Sequence, residues 1–435
     1  MDINDYKEMI LQHNDTGSRI DKQSQKSNEK IISSNTNLKK VLILSKVNCD
    51  SGAGGTRISN LIKLFNSTQE YYTSAYVFSD NYDNDNEFGF TEFSKYVSLG
   101  NCEKVSSKTK KLRMLFYGRK KVLSIIKKEN PNIIFIYSVL SIFNIKFIKR
   151  YCERNKIKLI FDVVEFRQLF SSLSPFAFFG YNLHNYLISA HYINKKTNGV
   201  ICPTFFLKKH FEEKRNVKNV FLFPITMDVD NMPKYNKNNS IDRIVYLYAG
   251  NPHKKRDLLI NMIKAFIALP DSMKEKVLLI VCGVSAEKLI KEEKMSRKDY
   301  EDSLTFTLYL GSLPKSVLMK IYPNIDYSIL LKNPKKRFSK AGFPTKMAEC
   351  FSCGVPMVAN LSGDMKYYME DMNNSIVCKS TSVEDYLNSI ISSINVYERK
   401  HTELSNNALS TAKERLDNHC YFDSFAIFIK RIIGE

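Results

Sequence analysis

The sequence lacks a run of about 18 apolar residues, which excludes a simple membrane-spanning helix. Its first residues hold no short apolar core, so no secretory signal is expected. The nine cysteines are scattered without a framework, and their count is odd. That pattern argues against a disulfide scaffold and for a reducing, cytoplasmic setting. Cys350 and Cys353 form a Cys-x-x-Cys pair, but no second pair of Cys or His stands at zinc spacing. A metal or redox role is therefore not expected of them. No Asp-x-Asp pair falls at the end of an expected strand, which fits chemistry without a metal or other cofactor. Acidic residues are outnumbered: 45 Asp and Glu against 65 Lys and Arg give a formal charge of +20. Such a balance favours an anionic partner, namely nucleic acid, an acidic membrane surface or a phosphorylated substrate. No nucleic-acid reading module is present, nor a face interleaving aromatic and basic residues, so no nucleic acid is expected as partner.

What is present is a chain of 435 residues with 43% hydrophobic content, suited to two domains of ordinary size. Residues 1–38 are polar and poor in large apolar side chains, and read as a disordered tail. "KKVLILSK" (39–46) reads as a buried parallel strand. "SGAGGTRISNLIKLF" (51–65) follows as a Gly-rich turn and a helix, the opening of a nucleotide-type βα unit. Further strands are expected at 132–138, 157–164, 198–204 and 219–225, and a second series at 242–250, 276–283, 304–311, 326–331, 355–360 and 374–379. The polar stretch 228–240 between the two series reads as a linker. The expected architecture is an N-terminal α/β domain over 39–228 and a second over 229–418. A final helix, 419–435, would cross back to the first. Residues 104–128 carry ten basic residues and no acidic one, with apolar residues at helical spacing. Two readings stand open: a solvated surface helix, or a platform for an anionic membrane surface.

"AGFPTKMAECFSCGVPMVAN" (341–360) places a cation, Lys346, in the first turn of an expected helix, where the peptide dipole opposes it. Pro344 suits the first helical position. The helix would start beyond the carboxyl end of a strand, where open α/β sheets bind ligands. An anion in the gap would reconcile the charges, a diphosphate above all. Glu349 lies on the same helix face and could accept the hydroxyl protons of a ribose. The alternative is an ordinary Lys346–Glu349 surface pair. A second cluster, "YAGNPHKKRDLL" (248–259), sets Gly250, Asn251, Lys254, Lys255 and Arg256 just past another strand, with Asp257 beginning a helix. It reads either as a phosphate-binding turn or as a basic surface turn. Glu165, in "FDVVEF", is either a cleft carboxylate or a helix cap. The aromatic stretch 170–187 could border an acceptor groove or fill the core.

Taken in order, these pieces resemble the large retaining glycosyltransferase family 4 over nearly the whole chain after the tail. The resemblance implies the GT-B fold: two Rossmann-like, doubly wound domains facing across a cleft. It implies a nucleotide-sugar donor, UDP- or GDP-linked, and a glycan or lipid-linked acceptor. By it, Lys254 and Lys255 would hold the donor diphosphate and Glu349 the ribose. Gly311, Ser312 and Leu313 would line the base. The Gly54–Gly55 backbone would approach diphosphate or sugar, with Arg57 a further cation for the leaving charge. The loop Gly342–Phe343–Pro344–Thr345–Lys346 would meet the donor. Two departures stand out. Ala341 occupies the place of a second family carboxylate, and Val164 that of a cleft histidine, with Glu165 beside it as the candidate catalytic acid. Work on a bacterial surface polysaccharide such as capsule or lipopolysaccharide, at the inner membrane face, would fit. The alternatives are a catalytically silent nucleotide-sugar-binding protein, an epimerase of the same fold, or a nucleic-acid-binding protein.

Overall fold

The computed structural model describes residues 38–45, 52–78, 86–91, 93–99, 119–137, 142–165, 183–237, 242–252 and 257–434. Residues 1–37, 104–118 of the basic segment, most of the 170–187 stretch, and Lys254, Lys255 and Arg256 lie outside them. The chain divides into two compact units. Among the described residues, Ile225–Asp417 belongs to one, while 38–224 and 418–434 belong to the other.

The first unit is built on eight described strands: β1 (Lys39–Ser45), β2 (Tyr71–Phe78), β3 (Asn86–Thr91), β4 (Ser94–Leu99), β5 (Ile133–Tyr137), β6 (Lys158–Asp162), β7 (Gly199–Cys202) and β8 (Val220–Leu222). They form one sheet in the order β3-β4-β2-β1-β5-β6-β7-β8. Neighbours run parallel, except that β3 pairs antiparallel with β4. Such a sheet is covered on both faces, so its central strands are apolar throughout: every residue of β5 is buried. One face packs the helix Gly52–Ser67 and the C-terminal helix Phe422–Ile433. Phe425 of the latter meets Phe65 of the former edge to face, ring centroids 4.9 Å apart.

β2 to β4 have no counterpart in the expected strands. The reason is compositional. β2 (YYTSAYVF) mixes hydroxyls among its apolar residues, and two of these, on Ser74 and Tyr76, are satisfied by one buried acid. Ser74 and the Tyr76 hydroxyl donate to Glu129 at 2.7 and 2.6 Å, and Lys95 of β4 pairs with it at 2.9 Å. Glu129 ends the 119–129 helix, the described part of the basic segment. Val122, Ile125 and Ile126 of that helix are buried, while Arg119, Lys120, Lys127 and Lys128 are exposed.

The second unit holds β9 (Ile244–Ala249), β10 (Val277–Cys282), β11 (Thr307–Gly311), β12 (Tyr327–Leu330), β13 (Met357–Asn360) and β14 (Ser375–Cys378). All pair parallel, in the order β11-β10-β9-β12-β13-β14. This is the doubly wound dinucleotide-binding order, whose direction of winding reverses between β9 and β12. Successive residues of β9 alternate between two cores. Val245, Leu247 and Ala249 enter one, and Ile244, Tyr246 and Tyr248 the other. The helix Val383–Arg415 begins at Ser382, whose hydroxyl accepts the Asp385 N–H at 3.1 Å.

The stretch expected as a linker is tied down through residue 237. The Tyr235 N–H donates to Cys353 O at 2.7 Å, and the Tyr235 hydroxyl to buried Asp326 at 2.7 Å. Lys237 pairs with the other Asp326 oxygen at 2.8 Å. A buried carboxylate needs such partners, and the polar linker sequence supplies them.

Candidate donor site at the strand ends of the second unit

The carboxyl ends of β9, β10 and β11 are finished by glycines whose backbones stack. Gly250 N–H donates to Cys282 O at 2.9 Å, and Gly283 N–H to Gly311 O at 2.6 Å. Gly283 has φ +91°, and a Cβ there would lie 2.4 Å from Gly250 O, so no larger residue fits without moving backbone. Gly283 was not among the residues expected to matter. Only the close approach of neighbouring strand ends, invisible in one strand's sequence, reveals it.

Lys346 crosses directly over Gly250: a Cβ on Gly250 would stand 2.5 Å from Lys346 Cε. Its ammonium donates to Asp257 Oδ2 at 2.6 Å and sits 3.8 Å from the centre of the Tyr248 ring. The Tyr248 hydroxyl donates to the same Asp257 oxygen at 2.9 Å. Burial pulls the Asp257 carboxyl up, but Lys346, Lys332 and these hydrogen bonds outweigh it and hold it below its ordinary value. The cation at the helix start is thus paired with Asp257 from across the sheet edge. Asp257 does not begin a helix. It forms a bridge with Lys332 at the end of β12, and the helix starts at Leu259.

The Thr345–Ser352 helix has Pro344 as its N-cap rather than its first residue. Its far end is closed by Gly354 at φ +75°, against which the Ser405 hydroxyl donates to the carbonyl at 2.5 Å. Glu349 lies one turn from Lys346 and is half-buried. Burial raises its carboxyl above the ordinary value, opposed by Lys315, Lys346 and the nearby Tyr322 hydroxyl. Tyr322, whose buried hydroxyl has no other partner, faces the carboxylate, and among the described residues no ion pair is made to it. A half-buried carboxylate with one hydroxyl beside it and no paired cation is costly unless something else meets it.

The remaining expected residues of this unit are placed around that edge. Asn251 is exposed, its side-chain oxygen accepting from Lys288 at 2.9 Å. Ser312 is exposed, and Leu313 packs against the core. Gly342 caps the Arg337–Ala341 helix, its N–H donating to Phe338 O at 2.9 Å. Phe343 is buried, edge-on to Tyr368 at 5.3 Å. Cys350 and Cys353 are buried free thiols.

In the first unit, Gly54 and Gly55 do not form a separate turn; they belong to the first turns of the Gly52–Ser67 helix. Arg57 is a correction as well. It is fully buried, its Nε and Nη2 donate to Asp162 at 2.9 and 3.0 Å, and its Nη1 to the carbonyls of Phe223 and Pro224 at 2.5 and 2.7 Å. Its guanidinium also covers the Phe223 ring at 4.6 Å. Such a side chain holds β6 to the chain after β8 and has no face left for a donor. Val164 packs against the core of this unit, and Glu165 beside it is exposed.

Residues 229–411 match the family described as Glycosyl transferases group 1. No curated protein sequence matches the chain. Several solved structures share its fold. Sucrose-phosphate synthase from Thermosynechococcus elongatus superposes with a TM-score of 0.72 at 12% identity, over 91% of this chain and 100% of that one. Anabaena HepE in complex with UDP-glucose gives 0.62 at 14% identity, over 90% and 99%. Trehalose 6-phosphate synthase from Burkholderia multivorans gives 0.62 at 10% identity, over 91% and 99%. The two Rossmann-like units are those of the GT-B fold. The family match lies within the second unit.

Proposed function

We propose that the chain is a retaining glycosyltransferase of family 4 that moves a sugar from a UDP-linked donor to a glycan or lipid-linked acceptor. The observation that carries this reading is Glu349. It is a half-buried carboxylate with no paired cation and only the Tyr322 hydroxyl beside it, at the carboxyl edge of a doubly wound sheet, inside the stretch that matches a glycosyltransferase family. A ribose diol offers two donors to such a carboxylate, and charge-assisted bonds of that kind are the strong ones. UDP is favoured as the nucleotide because a protein of the same fold is solved with UDP-glucose.

On this reading the bond between the sugar C1 and the diphosphate oxygen breaks, and the diphosphate keeps the electron pair. Lys254 and Lys255 meet the growing charge, helped by the start of the Thr345–Ser352 helix. The acceptor hydroxyl adds to C1 from the face the diphosphate leaves, so configuration is retained. Glu165 is the candidate acid or base on the acceptor side. No metal or other cofactor is assigned.

Among the described residues no helix is long and apolar enough to cross a membrane. We assign the protein to the cytoplasm, working peripherally at the inner membrane face in surface-polysaccharide synthesis. The exposed cations of the 119–129 helix support that placement. The chain is tested by mixing it with UDP-sugars and following acceptor-free hydrolysis, with the anomer of the released sugar read by NMR. Lys255→Ala lowers turnover about a hundredfold with the fold intact. An unchanged rate removes Lys255 from the mechanism.

A second reading has its own support. Ala341 is buried where the resembled family carries a carboxylate, and Val164 is packed into the core where it carries a histidine. A silent nucleotide-sugar-binding protein would bind UDP-glucose yet show neither transfer nor hydrolysis.

A further inference from the structure

A second concentration of charge lies in the first unit, at the opposite edge of its sheet from the strand ends that precede the Gly52–Ser67 helix. Residues 156–158 lead into the amino end of β6, and residues 196–198 into that of β7. Between them and the Ile142–Asn155 helix is a cavity of about 320 Å³. Lys149, Lys156, Lys158 and Lys196 line it, against one acid, Glu153. Its floor is apolar, with buried Cys152, Leu159 and Phe161.

Four ammonium groups around one cavity repel one another, and the fold does little to relieve them. Among the described residues none of the four makes an ion pair. Lys149 is half-buried, and its single hydrogen bond is to Tyr192 O at 3.2 Å. Burial draws its ammonium below the ordinary lysine value, Lys196 adds to that, and Glu153 opposes it. Lys156 has a partial structural reason: it follows the helix at φ 57° and complements the helix's carboxyl end. Even there, glycine would adopt the left-handed conformation with less strain. Lys149 spends one N–H on Tyr192 O, and Lys158 and Lys196 have no such reason.

We propose that this cavity binds a phosphate-bearing ligand, whose charge is taken by the lysines and whose apolar part rests on Cys152, Leu159 and Phe161. Open α/β sheets carry out their chemistry at the carboxyl ends of their strands. A site at the amino ends of β6 and β7 is therefore a place for an effector or an anchor rather than for the transferred sugar. The inference does not depend on the donor reading. The phosphate could belong to a soluble metabolite or to a lipid headgroup, and the two sources are separable.

Inorganic pyrophosphate is the soluble probe, added to the full chain while its melting midpoint is followed. The wild-type midpoint rises by about 2–4 °C at saturation. The Lys149→Met, Lys196→Met double variant loses at least half of that rise. Without pyrophosphate it melts at or above the wild type, because a cation held half-buried is gone. Lys156→Met with Lys158→Met repeats the loss should the first pair disturb folding. Lys274→Met, which removes an ion pair with Asp271 in the other unit, leaves the rise unchanged. In parallel, the variants are sedimented with vesicles of phosphatidylglycerol or of phosphatidylcholine. Loss of binding to the anionic vesicles alone assigns the phosphate to a lipid, and loss of the pyrophosphate response alone to a soluble ligand. Undiminished responses in both arms overturn the proposal. So does a parallel loss of UDP-glucose binding, which would mean that the lysines act on the donor site.

Discussion

Two cation–carboxylate pairs, one in each unit, differ in what surrounds them. Arg57 and Asp162 are sealed: their side chains are 1% and 0% exposed, and four guanidinium N–H groups are spent on protein oxygens. Lys346 and Asp257 are 16% and 14% exposed, at a strand-end edge with a carboxylate that lacks an ion pair one helical turn away. The first pair is complete, so it can only hold the fold together. The second balances charge locally and leaves Glu349 with a hydroxyl but no ion pair of its own, which is what a binding edge requires. Satisfaction of polar groups, not the presence of a cation, separates the two.

Breaking the sealed pair should have the largest effect. Asp162→Ala leaves a buried guanidinium without its carboxylate and costs about 3–5 kcal/mol. In a unit of this size that lowers the melting midpoint by about 10 °C. A drop of only a degree or two would show that water reaches Arg57.

The open pair should give less. Asp257→Asn removes the charge that balances Lys346 but keeps a side chain of the same shape. A loss of about 1–2 kcal/mol in denaturant unfolding is expected. UDP-glucose should bind no worse, because Lys346 becomes freer to meet a diphosphate. Weaker binding would instead place Asp257 among the ligand's own contacts.

The smallest stability effect, and the most informative, belongs to Glu349. Its carboxyl is raised in the folded chain, so the folded state holds the proton more tightly than the unfolded one. Stability contributed by this group is therefore full below the ordinary carboxylate value and is lost as pH rises through the raised one. Glu349→Gln should flatten that part of the pH–stability curve and make the unliganded chain equal to or slightly more stable than wild type at neutral pH. A destabilised variant would mean that Glu349 has a structural partner.

Much of the fold was legible because buried parallel strands are short, apolar and evenly spaced. The stretches 39–46, 132–138, 157–164, 198–204 and 219–225 contain β1, β5, β6, β7 and β8, and the six later stretches contain β9 to β14. β2 was not legible, because Glu129, 55 residues beyond Ser74, makes its hydroxyls acceptable inside. The donor edge was half legible. Gly250, Gly311 and the Thr345–Ser352 helix announce themselves locally, whereas Gly283 does not. The partner of Lys346 lies 89 residues away and depends on the sheet order that brings Asp257 beside it. Arg57 sits in a Gly-rich helix start that suggests phosphate, yet its partners are 105 to 167 residues distant. Long-range satisfaction of polar groups is the part that a single sequence does not spell out.

The central claim is that Glu349 is held open for the sugar of a nucleotide. Titration calorimetry of UDP-glucose into wild type and Glu349→Gln tests it most directly. A tenfold to hundredfold loss of affinity in the variant, with its melting midpoint unchanged or raised, is the predicted result. Equal affinity in the two proteins, or none in either with any UDP- or GDP-sugar, would contradict it.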